Sequence, residues 1–310
     1  MDTPIAEVRV DTALVARLIR AQHPDLHGPL RLVESGWDNV IYRLGERLSV
    51  RLPRRALAAP LVQNEQRWLP AIAERLPVPI PVPVRVGRPT SYYPWSWSIT
   101  PWFDGIAAAE VPVQARAAIA RELAEVVAAM HVPAPPPDAP AERRAPHSPV
   151  RGVPLATRTD AVLDRLASGS IPHADAVRDL WLRAVAVAPW AGDPLWLHGD
   201  LHPGNVLLTG ATPPQLAAVL DFGDLTAGDP ATDLAAGWLF FDAPARAVFR
   251  ARHDELAGPD RGATADTWRR AVGWAITQGT AMVAHSDDNP RMAALGRHVL
   301  EQVLTTSTPI

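Results

Sequence analysis

The sequence contains no cysteine and no lysine. The first absence excludes disulfides and thiolate chemistry. The second makes every one of the 30 basic residues an arginine, a bias that, with abundant alanine and proline, matches a GC-rich coding sequence. No apolar run is long enough to span a bilayer, so no membrane partner is expected. The opening MDTPIAEVRV starts acidic and lacks the apolar stretch of a secretory signal, so a cytoplasmic location is expected. A net charge of −3 gives no reason to expect nucleic-acid binding.

What is present is a chain of 310 residues, 47% hydrophobic, with room for two lobes around real cores. Its charge is uneven. Residues 1–103 hold 13 Arg against 9 acids, whereas 104–310 hold 17 Arg against 24 acids. A basic front region suits a polyphosphate and an acidic rear region suits a cationic substrate.

The stretch from Trp196 to Phe222 organises the rest. Apolar runs lead into and out of a compact polar segment, His198-Gly199-Asp200-Leu201-His202-Pro203-Gly204-Asn205, and Val219-Leu220 then delivers Asp221. Pro203 and Gly204 force a tight, non-helical loop. A strand-like hairpin here would bring Asp200, Asn205 and Asp221 to one end of a sheet. One carboxylate can accept a proton from an attacking hydroxyl, while an Asn and a second Asp can hold Mg²⁺ against nucleotide phosphates.

In protein kinases the catalytic loop reads H-R-D-x-x-x-x-N and is followed by D-F-G. Here His198-Gly199-Asp200 is followed after four residues by Asn205, and later by Asp221-Phe222-Gly223. The form H-G-D-x-H-x-x-N resembles the aminoglycoside phosphotransferase branch of the kinase-like superfamily, which includes macrolide and choline kinases. The resemblance implies an α+β, two-lobed, protein-kinase-like fold, with a small β-rich nucleotide-binding lobe over 1–103 and a larger, mostly helical lobe for catalysis and substrate over 104–310. It implies transfer of the γ-phosphoryl of ATP or GTP to a small-molecule hydroxyl, that of an aminoglycoside- or macrolide-type antibiotic or, alternatively, of a metabolite such as an amino alcohol, sugar or amino acid derivative. Asp200 would be the catalytic carboxylate, and Asn205 and Asp221 the Mg²⁺ ligands. A non-catalytic nucleotide-binding protein is the remaining alternative, but such proteins usually lose one of these three residues.

Along the front region, apolar spacing predicts a helix over 11–22, capped by Asp11 or Thr12. Residues 30–52 read as strand, loop, strand, turn and strand. In the resembling family the first loop folds over phosphates, so Ser35, Gly36 and Asn39 are expected to offer backbone N–H groups. Kinases place a Lys on the third strand, paired with a helix Glu. Arg51 stands there instead, and Glu65, in a helix over 61–76, is its expected partner, with Glu74 in reserve. Arg54 and Arg55 read as a solvated turn. The Pro-rich 77–86 reads as an edge or connector. Thr100, Trp102 and Phe103 fall where the family lays its purine.

In the rear region Val113–His131 reads as one helix beginning at Pro112, and 132–149 as an exposed Pro/Ala-rich loop. Arg151-Gly152-Val153-Pro154-Leu155, with Arg158, reads as a surface loop, with a part in a substrate flap as the alternative. Residues 160–188 read as helix broken near 169–172. Asp233, in Asp229-Pro230-Ala231-Thr232-Asp233, is expected to hold the catalytic-loop backbone. Trp238, Trp268 and Trp274 are expected in the core.

Overall fold

The computed structural model describes residues 5–141, 143–261, 263–286 and 289–305. The chain forms two compact units. One comprises 2–104 with 218–223, the other 105–217 with 224–310. The short excursion 218–223, which carries Asp221, therefore belongs with the first unit.

The first unit is an antiparallel sheet flanked by helices. Helix α1 (Thr12–Gln22) begins at Asp11, whose side chain accepts from the Leu14 N–H. The three strands read from the sequence are β1 (Leu30–Ser35), β2 (Asn39–Leu44) and β3 (Leu48–Pro53). Helix α2 (Ala59–Ala73) follows and carries Pro70 within it. Strand β4 (Arg85–Gly87) is the edge and β5 (Trp97–Pro101) lies between it and β3, giving the order β1-β2-β3-β5-β4. The Pro-rich segment before β4 thus ends in an edge strand, where missing backbone donors cost little.

Period-2 alternation decides what β3 offers to each face. Val50 and Leu52 are buried in the cluster that α1 closes with Val15, Leu18 and Ile19. Arg51, between them, projects to the other face. On α2, Val62, Leu69 and Ile72 are buried, and so is Glu65. The helix is tied to β5 by Gln66, whose amide nitrogen donates to the Trp97 carbonyl and the Ser98 hydroxyl, both at 3.0 Å.

The second unit is mainly helical. After β6 (Ile106–Ala107) the expected single helix over 113–131 is interrupted. It comprises α3 (Val113–Arg116), a 3₁₀ turn over 117–119 and α4 (Ala120–Met130). The buried Arg116 turns its guanidinium back onto the Val111 and Ala109 carbonyls, which the tighter turn accommodates. Helices α5 (Thr159–Ala167) and α6 (Ala174–Val185) are separated at the expected break.

Strands β7 (Leu195–Leu197), β8 (Val206–Leu208), β9 (Leu216–Val219) and β10 (Thr226–Gly228) follow. β8 and β9, on either side of the polar-Pro break, are hydrogen-bonded neighbours, as the expected hairpin requires, but β7, which leads into the polar loop, pairs elsewhere. β7 pairs with β10, while β8 lies between β6 and β9 in a separate sheet. Short strands satisfy their backbone groups with whichever partner the loops deliver, and the polar loop spans two sheets rather than turning within one. Helices α7 (Ala231–Leu234), α8 (Ala236–Phe240), α9 (Ala243–Arg261, kinked at Gly258), α10 (Ala265–Ala284) and α11 (Pro290–Leu304) complete the unit. α10 is buried along most of its length and packs on α5, α6, α7, α8 and α11, as expected of a central helix. Trp238, Trp268 and Trp274 are all in the core. No helix among the described residues is long and apolar enough to cross a membrane.

Candidate active site

In the first unit the site is built on Arg51. Its Nη1 lies 3.1 Å from Glu65 Oε1 and its Nη2 2.7 Å from Asp221 Oδ1. The Asn39 side-chain oxygen, in its hydrogen-bonding orientation, accepts from Arg51 Nη2 (3.1 Å) and Nε (3.3 Å). Burial pulls the guanidinium pKa down, but Glu65 and Asp221 overcome this and raise it. Burial pushes the Glu65 carboxyl up to about 7 against the opposing charge of Arg51. Asp221 has a left-handed backbone, φ 54°, which Asp tolerates better than most residues. Its Oδ1 also accepts from the Gly223 N–H at 3.3 Å. Arg51, Glu65, Asp221 and Asn39 are therefore one ion-paired cluster.

The loop between β1 and β2 is braced from within. The Gly36 N–H donates to the Asn39 carbonyl at 2.9 Å, so that donor is already engaged. Arg54 Nη1 donates to the Gly36 carbonyl (2.7 Å) and, more weakly, to Ser35 Oγ (3.4 Å). Arg55 pairs with Asp38. Arg54 and Arg55 are thus not a solvated turn but struts of this loop. Their aliphatic stems and guanidinium groups reach a loop that lies next to them through the β2–β3 pairing of Asn39 with Pro53.

At the end of β5 the Thr100 hydroxyl is 2.7 Å from that of Ser49. The Trp102 N–H donates to the Arg47 carbonyl at 2.8 Å, and its ring lies under the Arg43 guanidinium at 4.5 Å. Phe103 is half-buried.

The second unit holds the polar loop. Asp233, 1% exposed, accepts from the backbone N–H of His198 (2.7 Å) and of Gly199 (2.9 Å), as the sequence led us to expect. Gly199 has φ 86°, and a Cβ there would run into the Asp224 carbonyl, so only glycine serves. The loop presents Asp200, whose side chain is 27% exposed. Arg151 Nη2 lies 2.8 Å from Asp200 Oδ1, and His202 Nε2 lies 3.4 Å from Oδ2. His202 Nδ1 accepts the Gly204 N–H, so a neutral ring carries its proton on Nε2, facing the carboxylate. Burial would raise the Asp200 pKa. Arg151, then His202 and His198, outweigh it and hold the carboxyl well below the usual range. Asn205 Nδ2 donates to the Asp200 carbonyl at 3.0 Å, leaving its Oδ1 as an acceptor.

What sequence reasoning missed is the contact of Arg151 with Asp200. Arg151 sits in a loop without periodicity, yet its neighbour Gly152 is held at both ends. The Gly152 N–H donates to Thr232 Oγ1 (3.2 Å) and its carbonyl accepts from the Asp229 N–H (3.0 Å). Asp229 itself is bidentate with Arg270, Nε to Oδ2 at 2.7 Å and Nη2 to Oδ1 at 3.2 Å, both residues being buried. One segment, 229–233, therefore positions both the polar loop and the arginine against it. The hint in the sequence was the patch Arg151–Leu155, set apart from the Pro/Ala-rich stretch before it and open to a substrate-flap reading.

Comparison with known proteins bears on this geometry. No curated protein sequence matches the chain. Among solved structures, the GDP complex of wild-type aminoglycoside 2'-phosphotransferase-IIIa is 17% identical, covering 95% of this chain and 99% of its own, with a TM-score of 0.64. The macrolide 2'-phosphotransferase MphH from Brachybacterium faecium, an apoenzyme, is 24% identical over 95% and 99%, TM-score 0.60. The streptomycin–ATP–APH(2")-IIa ternary complex is 18% identical over 96% and 97%, TM-score 0.56. These likenesses show the kinase-like α+β fold. The model of the phosphotransferase enzyme family matches residues 29–271, most of the chain and all of the cluster residues described above. The protein belongs to the phosphotransferase enzyme family.

Proposed function

We propose that the protein is a cytoplasmic phosphotransferase that moves the γ-phosphoryl group of ATP or GTP to a hydroxyl of a small molecule. The observation that carries this reading is the Asp200 carboxylate, set in a loop whose backbone is held by Asp233 and paired with Arg151. The GDP and ATP bound by the solved relatives support a nucleotide co-substrate. In this reading Asp200 orients the acceptor hydroxyl. A carboxylate with so low a pKa is a weak base, so it takes the proton late, as the bond to phosphorus forms. Arg51, aligned by Glu65, steadies the nucleotide phosphates, with Ser35, Gly36 and Asn39 in the loop beside them. The purine lies against Thr100, Trp102 and Phe103.

Asp221 and Asn205 would hold Mg²⁺. Both offer hard oxygen donors, the kind Mg²⁺ takes alongside phosphate and water, so the residues fit the ion. When bound, Mg²⁺ neutralises charge on the phosphates. Catalysis by the chain's own residues is then mainly positioning and electrostatics.

The relatives support an aminoglycoside- or macrolide-type acceptor. A small-metabolite acceptor is the alternative reading. The test is a screen of hydroxyl acceptors, antibiotics and metabolites together, with γ-labelled ATP and GTP. Label should pass to one class. In that assay Arg51→Ala should raise the nucleotide KM by about tenfold, the worth of one charge-assisted hydrogen bond, and leave the acceptor KM unchanged. Arg51→Lys should recover part of the loss, since charge returns without the fork. A wild-type protein that neither binds nucleotide nor labels any acceptor overturns the reading.

A pH profile tests the Asp200 environment. Arg151→Met removes the cation that lowers the Asp200 pKa. The pKa must then rise, and the ionised form is lost at higher pH. The acid limb of kcat/KM should therefore move up by about one to two pH units, while the wild type should show no such limb above about pH 4. An unmoved limb would mean that Arg151 does not set the charge of Asp200.

A further inference from the structure

Two arginines of the second unit make their ion pairs in different ways. Arg270 uses Nε, Nη1 and Nη2 on Asp229 and the Ala188 carbonyl, as a strut does. Arg151 makes one side-chain hydrogen bond among the described residues, Nη2 to Asp200 Oδ1 at 2.8 Å. Its Nε stands 3.6 Å from Asp224 Oδ2, beyond hydrogen-bond range, and is buried without a hydrogen-bond partner among the described residues. A guanidinium carries about five N–H donors in one plane, so most of them are unused here. The side chain is 21% exposed, and another group can reach it.

The backbone behind Arg151 is fixed. The Ser148 N–H donates to Thr226 Oγ1 at 3.0 Å, and Ser148 Oγ accepts the Arg151 N–H at 3.1 Å. Gly152, φ 67°, lies backbone to backbone on Gly228 of β10, and a Cβ on Gly228 would run into the Gly152 carbonyl. A donor held from such a base needs no rearrangement at the moment of reaction.

Phosphoryl transfer sets an electrostatic problem at Asp200. An ionised carboxylate faces an incoming phosphoryl group whose equatorial oxygens also carry negative charge. The attacked phosphorus lies about 3–3.5 Å from the acceptor oxygen in a reactive pose, so the like charges are close. We propose that Arg151 is a further catalytic residue, which stays paired with Asp200 and donates its unused N–H groups to the equatorial oxygens of the phosphoryl group in transit. This rests on the reading of Asp200 as the residue that receives the acceptor hydroxyl. As the acceptor oxygen bonds to phosphorus, its proton passes to Asp200. The bond from phosphorus to the bridging oxygen breaks and leaves its electron pair on the nucleoside diphosphate. Arg151 keeps its protons throughout. It acts on charge that develops in the transition state, so it raises turnover rather than affinity for nucleotide.

Arg151→Met removes both the charge beside Asp200 and the donors, and pH separates the two effects. At about pH 8 the Asp200 carboxylate is ionised with or without its arginine, so a residue that only set that charge would be dispensable there. Transfer from γ-labelled ATP and GTP should instead stay about 10²–10³-fold slower at that pH, to the acceptor labelled in the screen and to water alike. The KM of nucleotide and of acceptor should be unchanged. Arg151→Gln, made in parallel, should show the same loss with a Tm near that of the wild type, and Arg151→Lys should retain more turnover than either. Aluminium fluoride with ADP or GDP, a mimic of the group in transit, should inhibit the wild type more strongly than the variants, although ADP and GDP alone bind all of them equally. Turnover of the folded variants close to wild type at about pH 8, or equal inhibition by aluminium fluoride, overturns the role of Arg151. Failure of the phosphotransfer reading shows separately, as a wild type that passes label to nothing, water included.

Discussion

Asp200→Asn should lower turnover by about 10²–10⁴-fold and leave nucleotide affinity nearly unchanged. The substitution keeps the shape of the side chain and removes its charge. It leaves the loop intact, because His198 and Gly199 hang from Asp233 and not from Asp200. What is lost, in the proposed reaction, is the carboxylate that would align the acceptor hydroxyl and take its proton as phosphorus is attacked. The residues assigned to nucleotide, Arg51, Glu65 and Asp221, form their own ion-paired cluster and do not depend on it. Steady-state kinetics, with nucleotide binding followed by titration, checks both halves. Turnover close to wild type would remove Asp200 from the chemistry and with it the proposed reaction.

Arg270→Met should cost about 3–5 kcal/mol of stability, the range for stripping one partner from a buried pair. For a unit of roughly 200 residues that corresponds to a fall in Tm of about 6–20 °C. Asp229 and Arg270 are each 3% exposed, so the abandoned carboxylate has no water to turn to. Arg270 also donates to the Ala188 carbonyl at 3.1 Å. The neighbouring Arg269→Met is the control. Arg269 pairs with Asp266 on the exposed face of α10, where such pairs are worth about 0–1 kcal/mol. Comparable melting of the two variants would show that the buried pair does not anchor segment 229–233. If it does, Arg270→Met should also lower activity, because that segment holds both Asp233 and the Gly152 clamp.

Local pattern accounts for what the sequence revealed. Alternation in 30–52 and the cap at Asp11 depend on neighbours a few residues apart. Glu65 was found as the Arg51 partner because a strand and the following helix bring a fixed pair of positions together. Asp233 was found through a motif that travels with the catalytic loop. The misses have a different origin. The Arg151–Asp200 contact joins residues 49 apart through a loop with no period. The pairing of β7 with β10 skips two intervening strands. The struts Arg54 and Arg55 looked solvated because nothing in a Pro-Arg-Arg run says which carbonyls lie within reach. The break in the helix over 113–131 has no proline or glycine to announce it; it arises where Arg116 turns back on its own N-terminal carbonyls.

The guanidinium held between Glu65 and Asp221 is also a statement about covalent reactivity. An amine at that position has a neutral, nucleophilic form, and acylating or sulfonylating nucleotide analogues attack it. A guanidinium stays protonated across the accessible pH range and offers no such lone pair. With no lysine anywhere in the chain, amine-directed affinity labels have no side-chain amine to modify, whereas dicarbonyl reagents that condense with arginine do. The Arg51 cluster therefore offers nothing to amine-directed labels, and because Glu65 and Asp221 raise its guanidinium pKa, it should also condense with dicarbonyls more slowly than the exposed arginines of the chain.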